Sequence, residues 1–277
     1  MDLLVVGGSG FLGQELIRQA LLAGDRVGAT SRSGAGTPSS VVTWRATDIK
    51  LRDDVAALVA DLRPAVIINA ASDRRDWRTT ADGAMHVAVA AATCEARLVH
   101  VSSDAVFSGL AASYNEGSVP DPTTAYGAAK AAAETAIKGV LPSAVIARTS
   151  LIIGNGMSRH EAHVHALASG ALTGALFTDE VRCPVHVSDL AAALLELARS
   201  QHSGIHHVAG ADAISRHELG VLIARRDGLD PGTLPTGLRS RTGLPGAVGV
   251  RLDCTQTQAR LVTGLRGARQ FLGGTPG

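Results

Sequence analysis

Aromatic side chains make up only 3% of the 277 residues, with two Trp, two Tyr and four Phe. So few rings leave little to stack on bases, which argues against a nucleic-acid partner. Cysteine is scarcer still. Cys94, Cys183 and Cys254 are far apart, odd in number and free of Cys-x-x-Cys or Cys/His spacing, so reduced structural thiols are expected. Nor does one sign of charge dominate. The 26 Lys and Arg face 25 Asp and Glu, a formal net charge of +1, so no long-range field favours nucleic acid or an anionic membrane. No apolar run approaches a membrane span, and the chain enters a strand-like run within a residue or two, too soon for the basic flank and apolar core of a signal peptide. A cytoplasmic protein with a small-molecule partner is expected, with a homodimer left open.

What the chain does have is glycine in one informative place. Leu3 to Val6 is a strand-forming run that feeds Gly7-Gly8-Ser9-Gly10-Phe11-Leu12-Gly13, and Phe11, Leu12, Leu16, Ile17 and Ala20 follow at helical spacing. Gly7 permits a tight turn, Gly10 lets backbone approach a pyrophosphate, and Gly13 allows close helix-to-strand packing. The unpaired N–H groups and positive dipole end of the helix would hold the phosphates without a charged side chain.

Further apolar runs at 27–30, 41–44, 65–69, 98–102, 144–147 and 205–208 alternate with helical stretches at 11–23, 51–61, 79–93, 124–138 and 188–199. That alternation predicts an α/β fold, a doubly wound Rossmann-type parallel sheet with a small carboxy-terminal substrate lobe. Residues 1–150 would form the dinucleotide domain, 184–210 would return to it, and 151–277 would be mainly the lobe. Asp53, Thr79, Thr123 and Ser188 stand near helix starts as capping candidates. The stretch Pro231 to Gly249 reads as irregular chain.

In such sheets ligands bind beyond the carboxyl ends of the strands. Those ends carry Gly7, then Ser31-Arg32, then Asp48-Ile49, then Asn69-Ala70-Ala71, then Ser102-Ser103-Asp104. After the second strand an NAD-preferring protein would show a carboxylate for the ribose hydroxyls; here Arg32 beside Ser31 suits a 2′-phosphate, which favours NADP(H) over NAD(H). The alternative is that Arg32 is a solvated charge on a loop that runs to Pro38, mobile by composition. Asp48 could bond the adenine amino group or cap the helix opening at Leu51.

Tyr126 and Lys130, four apart, share one face of a helix. A phenol with an ordinary pKa near 10 is a poor acid at neutral pH, and a neighbouring ammonium and a nicotinamide cation would stabilise its anion. Lys130 can also bond ribose hydroxyls. Ser103 would polarise a substrate carbonyl for hydride attack.

With these residues the chain resembles the extended short-chain dehydrogenase/reductases, and among them the dTDP-4-dehydrorhamnose reductase group. The resemblance is carried by Gly-x-x-Gly-x-x-Gly, Asn69-Ala-Ala, Val101-Ser-Ser-Asp-Ala-Val-Phe-Ser-Gly109, Tyr126-x-x-x-Lys130, Arg148-Thr-Ser150, Pro184 to Leu190, and Gly204 to Gly210 with Ile214-Ser215, across nearly the whole chain. It implies that Ser103, Tyr126 and Lys130 are the catalytic triad, with Tyr126 as proton donor, and that Thr149 and Ser150 lie near the nicotinamide. It also implies a keto group on a nucleotide-linked deoxysugar as substrate. There are departures. Ala105 stands where relatives show Tyr, no Asn lies between Asn69 and Asn115 to hold a relay water, and the Glu that dehydratases use is missing after Asp104-Ala105. The first two imply a differently held sugar and altered proton delivery; the third argues against dehydratase chemistry.

Arg159 and Arg182 are candidates for a nucleotide-sugar pyrophosphate, or surface ion-pair partners. The loop Asp73-Arg74-Arg75-Asp76-Trp77 could place Trp77 at the substrate mouth, or its alternating charges could mark a solvated loop, and Asp104 is a further substrate candidate. His160, His163 and His165 cluster, but no carboxylate or Cys completes a metal set, and no metal is expected. An NADP-dependent ketone reductase leads these readings. A catalytically silent NADP-binding regulatory subunit is the rival, since one relative in the group, the regulatory subunit of methionine adenosyltransferase, resembles a reductase yet acts as a partner. An epimerase that keeps NAD bound is disfavoured by Arg32.

Overall fold

The computed structural model describes residues 2–32 and 41–273. Its main sheet is assembled from β1 (Asp2–Val6), β2 (Arg26–Ser31), β3 (Val42–Ala46), β4 (Val66–Asn69), β5 (Arg97–Ser103) and β6 (Val145–Thr149). Short strands β7 (Ile152–Ile153), β8 (Leu176–Phe177), β9 (Val181–Arg182) and β10 (Val185–His186) follow, before β11 (Gly204–His207) rejoins the sheet. The order is β3-β2-β1-β4-β5-β6-β11, every neighbour parallel. The order reverses between β1 and β4, so their carboxyl ends open a crevice.

Helices cover both faces. On one, α1 (Phe11–Leu22) and α6 (Val187–Arg199) bury Leu12, Leu16, Ile17, Leu190, Leu194 and Leu197 against Val5, Ile68 and Val99. On the other, α2 (Arg52–Leu62), α3 (Gly83–Thr93) and α4 (Ala125–Val140) bury Val55, Val59, Val87, Ala88, Ala133 and Ile137 on Leu4, Ile67 and Leu98. Each buried Leu or Val adds about 1.5–3 kcal/mol of hydrophobic stabilisation, and the many Ala let helices lie close to the sheet. Parallel strands buried on both faces read as continuous apolar runs, which is why they were legible.

The later chain packs α5 (Arg159–Ala168), α7 (Arg216–Arg226) and α9 (Ala268–Gly273) around Val164, Leu167, Leu219 and Ile223. Strand β12 (Ile214–Ser215) pairs with β9, and β13 (Thr236–Gly237) with β8. A short α8 (Thr255–Gln258) precedes α9. Within 231–249, expected to be irregular, lie two 3-10 turns and β13.

The expected caps differ by a residue or two. Thr124, not Thr123, caps α4 by accepting from the Gly127 N–H, and His186, not Ser188, caps α6. Leu51 precedes α2 without a side-chain cap, and Asp53 sits in its first turn. Thr79 lies inside a π-helical turn, 78–82, that leads into α3. Beyond Arg32, the loop to Pro38 lies outside the described residues from residue 33.

Candidate functional site

The carboxyl ends of β1, β4, β5 and β6 open into a cleft of about 1170 Å³. Gly7, Gly10, Phe11, Leu12 and Gly13 form one wall, Ser102, Ser103, Asp104, Tyr126 and Lys130 another, and Arg159, Arg182 and Arg216 the far side. A second hollow of about 570 Å³, between Gln19, Ala23, Leu195 and Arg199 on the outer faces of α1 and α6, contains none of this chemistry.

The glycine wall is built for close approach. Gly7 has a positive φ of 84°, and a Cβ there would lie 2.8 Å from the Ala71 nitrogen. A Cβ on Gly13 would lie only 2.3 Å from the Gly7 carbonyl oxygen, so that glycine seats α1 on the turn. The N–H of Gly7 donates to Thr30 Oγ1 at 3.1 Å and that of Gly8 to the Thr30 carbonyl at 2.9 Å, which fixes the loop on β2. Gly10 precedes α1 and offers no side-chain cap. The first helical N–H groups therefore face the cleft unfilled by any side chain, the donor set an anion at a helix terminus needs.

Across the cleft, Thr124 starts α4 so that Tyr126 and Lys130 fall on its inner face. Burial pushes the Tyr126 phenol up from its ordinary pKa; Ser72 and Ser103 hydrogen-bond to it and Arg74 acts on it as a cation, all pulling the other way, while Asp104 pushes it up. Lys130 is 2% exposed and donates from Nζ to the Val101 carbonyl at 2.8 Å. Burial lowers its ammonium to about 8, against a smaller opposing pull from Glu134. Ser103 Oγ accepts from the Ala105 N–H and lies 3.2 Å from Asp104 Oδ1.

Asp104 is committed elsewhere: its Oδ2 accepts from Ser150 Oγ at 2.7 Å and lies 3.6 Å from Arg182 Nε. Arg182 in turn donates to the carbonyls of Val181 and Ala247, both at 2.8 Å, so much of its donor capacity is taken up by backbone. Arg159 is different. It lines the cleft and, among the described residues, has no ion pair, while burial and the nearby charge of Arg74 lower its pKa. Thr149 and Ser150 reach the cleft, and Thr149 Oγ1 is buried with no partner among the described residues.

Other expected residues stand away from the cleft wall. Trp77 is 48% exposed at the start of the π-helical turn. Asp48 accepts from the Lys50 N–H at 3.0 Å, an interaction of its own loop and not a cap of α2, and Ile49 packs under Gly83. Asn69 accepts from the Ala71 N–H at 3.1 Å and shapes the turn after β4. Ser31 is buried and its hydroxyl has no partner among the described residues, Arg32 is exposed at the end of β2, and Ser9 is exposed beside the glycine turn. His160, by contrast, lines the cleft and accepts from Arg216 at 3.3 Å, and His165 pairs with Asp227 at 2.6 Å. Among the described residues no group of His, Cys, Asp and Glu could hold a metal ion.

Several residues at the site were not anticipated. Glu134 accepts from Ser102 Oγ at 2.6 Å and from Arg148 Nη2 at 2.8 Å, a buried pair beneath Lys130. Its spacing of four from Lys130 was the available signal. Arg216, Glu180 and Arg239 reach the cleft through tertiary folding alone.

A family model described as the RmlD substrate binding domain matches residues 1–242. The chain belongs to this family. A relative, the dTDP-4-keto-6-deoxy-D-glucose reductase of Streptomyces niveus, is 31% identical over 241 residues, covering 83% of this chain and 80% of that protein. Methionine adenosyltransferase 2 subunit beta of Xenopus laevis is 25% identical over 280 residues, covering 92% and 81%. The same fold appears in a solved dTDP-4-dehydrorhamnose reductase of Bacillus anthracis in complex with NADP, with a TM-score of 0.85 at 21% identity, covering 98% of this chain and 97% of that one. The family is one of extended short-chain reductases acting on nucleotide sugars, so the resemblance read from the motifs holds, as does the doubly wound α/β architecture.

Proposed function

We propose that this protein is an NADP-dependent reductase of a ketone on a nucleotide-linked deoxysugar. One observation carries the reading: a glycine turn with an uncapped helix terminus opens onto the same cleft as Tyr126, Lys130 and Ser103. The cradle fits a dinucleotide, since α1 begins without a side-chain cap behind a glycine turn that lines the cleft, and Thr149 Oγ1 has no partner among the described residues where the resemblance expects a nicotinamide. A bound reduced nicotinamide would supply the hydride.

The remaining work falls to the chain. Helix α1 holds pyrophosphate on its first N–H groups. Ser103 donates to the carbonyl oxygen, and Tyr126 gives its proton to that oxygen as negative charge develops there. Lys130 meets ribose hydroxyls from its place one turn along α4. Arg159, which has no ion pair among the described residues, takes the substrate's pyrophosphate. Arg32 favours a 2′-phosphate, because no carboxylate follows it before Asp48, and Asp48 is engaged with Lys50.

Calorimetry with NADPH and NADH, followed by nicotinamide absorbance against keto-sugar nucleotides, tests this. Tyr126→Phe should bind NADPH nearly as wild type while turnover falls about a hundredfold or more. Undiminished turnover would remove Tyr126 from the mechanism. A regulatory role is the second reading, supported by Ala105 in place of the expected aromatic and by the likeness to a methionine adenosyltransferase subunit. Tight NADPH binding with no oxidation across the panel would favour it.

A further inference from the structure

The loop after β4 carries a charge that the reaction, as just described, does not use. The guanidinium carbon of Arg74 lies over the face of the Tyr126 ring, 5.0 Å from its centroid. Two acidic residues flank Arg74 in sequence, yet each is engaged elsewhere. Asp73 Oδ1 accepts from the Arg75 N–H at 3.0 Å. Asp76 accepts from the Thr79 hydroxyl at 2.7 Å and lies 3.5 Å from Lys50 Nζ. Among the described residues Arg74 has no ion pair, so its charge is turned toward the cleft.

The seat is fixed rather than incidental. Thr80, fully buried in the π-helical turn, donates to the Asp73 carbonyl at 2.7 Å and accepts from the Asp73 N–H at 3.1 Å. That two-way clamp anchors the backbone immediately before Arg74. Ser72, one residue earlier, hydrogen-bonds to the same phenol.

We propose that Arg74 is a positioning residue for proton transfer: its guanidinium, held over the ring, is the cation that balances the phenolate left when Tyr126 protonates the substrate oxygen. This rests on Tyr126 being the acid. In that step the carbonyl carbon takes a hydride from the reduced nicotinamide, the oxygen takes the phenolic proton, and the O–H electron pair stays on Tyr126. A full negative charge thus appears on a buried oxygen and needs a partner.

Lys130 is poorly placed for the whole of that task. Its Nζ is tied to the Val101 carbonyl, and burial lowers its ammonium to about 8, so its charge fades in mildly alkaline solution. A guanidinium keeps its charge throughout. The groups facing the phenol are Arg74 and Ser72 from the loop after β4, Ser103 and Asp104 from the end of β5, Lys130 from α4 and Arg159 from the start of α5. Burial and Asp104 oppose the phenolate, and Arg74 is the cation seated on the ring. A guanidinium about 5 Å from the ring attracts the phenolate more than the neutral phenol, and an opposite charge at that distance lowers an acid's pKa by about one unit or more.

The chain has only two tyrosines, Tyr114 and Tyr126, so tyrosinate absorbance can be followed during alkaline titration and Tyr126 isolated by subtracting Tyr126→Phe. Arg74→Ala should move the Tyr126 midpoint upward by about one unit, tenfold in proton affinity, and Arg74→Lys should restore most of it. In the alcohol-oxidising direction, which needs the phenolate, the acidic limb of the turnover profile should move to higher pH in Arg74→Ala, with NADPH affinity unchanged. An unmoved midpoint and an unmoved limb would overturn the proposal. So would a raised KM for the ketone as the sole effect, which would make Arg74 a substrate-binding group. If Tyr126→Phe kept its turnover, the acid assignment would fail, and the titration would still report on Arg74.

Discussion

Replacing Glu134 by Gln tests how the floor of the site is built. The Glu134 carboxylate and the Arg148 guanidinium are each 1% exposed, joined at 3.0 Å from Nε to Oε1 and 2.8 Å from Nη2 to Oε2. Without the carboxylate, Arg148 keeps the Ser118 carbonyl at 3.2 Å and the Phe107 ring at 4.9 Å, which do not neutralise it. Breaking such a pair by removing one partner costs about 3–5 kcal/mol. At roughly 2–4 °C per kcal/mol for a chain of this size, Tm should fall by about 6–20 °C. The double variant Glu134→Leu with Arg148→Met removes both charges and should recover to within about 2 kcal/mol of wild type, because neither partner is then stranded. Denaturant unfolding of the single and double variants measures both numbers. A single variant that loses less than about 1 kcal/mol, or a double variant no better than the single, would refute the argument. A second readout follows from Lys130, whose ammonium Glu134 favours. In Glu134→Gln its pKa should sink further below about 8, so NADPH affinity should begin to decline at lower pH than in wild type.

Arg159→Ala should raise KM for a nucleotide sugar about tenfold with little loss of turnover, the signature of binding shared by ground and transition states; an unchanged KM would count against a pyrophosphate contact. Lys130→Met should abolish turnover yet raise stability at pH 7 by about 1–3 kcal/mol, since burial disfavours the native ammonium. The sign follows from proton binding: between about 8 in the fold and 10.5 for free Lys, the unfolded chain holds the extra proton. Wild-type stability should therefore rise with pH across that window and the variant's should not; a destabilised or equally pH-dependent variant would contradict this.

The middle of the sheet was legible because its parallel strands are buried on both faces and so appear as unbroken apolar runs, as Val66 to Ile68 does, whereas the edge strand β3 is largely exposed. The glycine turn was legible because the positive φ of Gly7 and the seating of Gly13 against the Gly7 carbonyl arise within the turn itself, although the close approach of Gly7 to Ala71 is tertiary. Tyr126 and Lys130 were legible because a helix places them together. Asp104 and Arg182 were less so. Both types suit a substrate, but the fold brings residues 104, 150 and 182 together from three separate segments, where each satisfies the others. Spacing along the chain contains no trace of that encounter. The same holds for Arg216, which meets His160 across 56 positions, and for the caps, where a one-residue choice between Thr123 and Thr124 depends on backbone angles.

Net charge shows how far a global quantity can be used. A formal charge of +1 gives no long-range field of one sign, yet it averages over an uneven distribution. The cleft is lined by Lys130 and by Arg74, Arg75, Arg159, Arg182, Arg216 and Arg239, against Asp73, Asp104 and Glu180. Three of those cations are largely occupied: Arg182 and Arg239 lie within 4.0 Å of Glu180, and Lys130 is bonded to backbone. Among the described residues Arg74 and Arg159 have no ion pair, and they converge on the two places where the reaction as proposed puts negative charge, the phenolate and the substrate's phosphates. A concave, partly desolvated surface strengthens such charges relative to the same residues on an open face. The acidic residues that balance the total lie elsewhere, at pairs such as Asp2 with Arg26 and Glu15 with Arg18. Near-neutrality of the chain and an excess of cationic side chains along its cleft are thus two consequences of one arrangement.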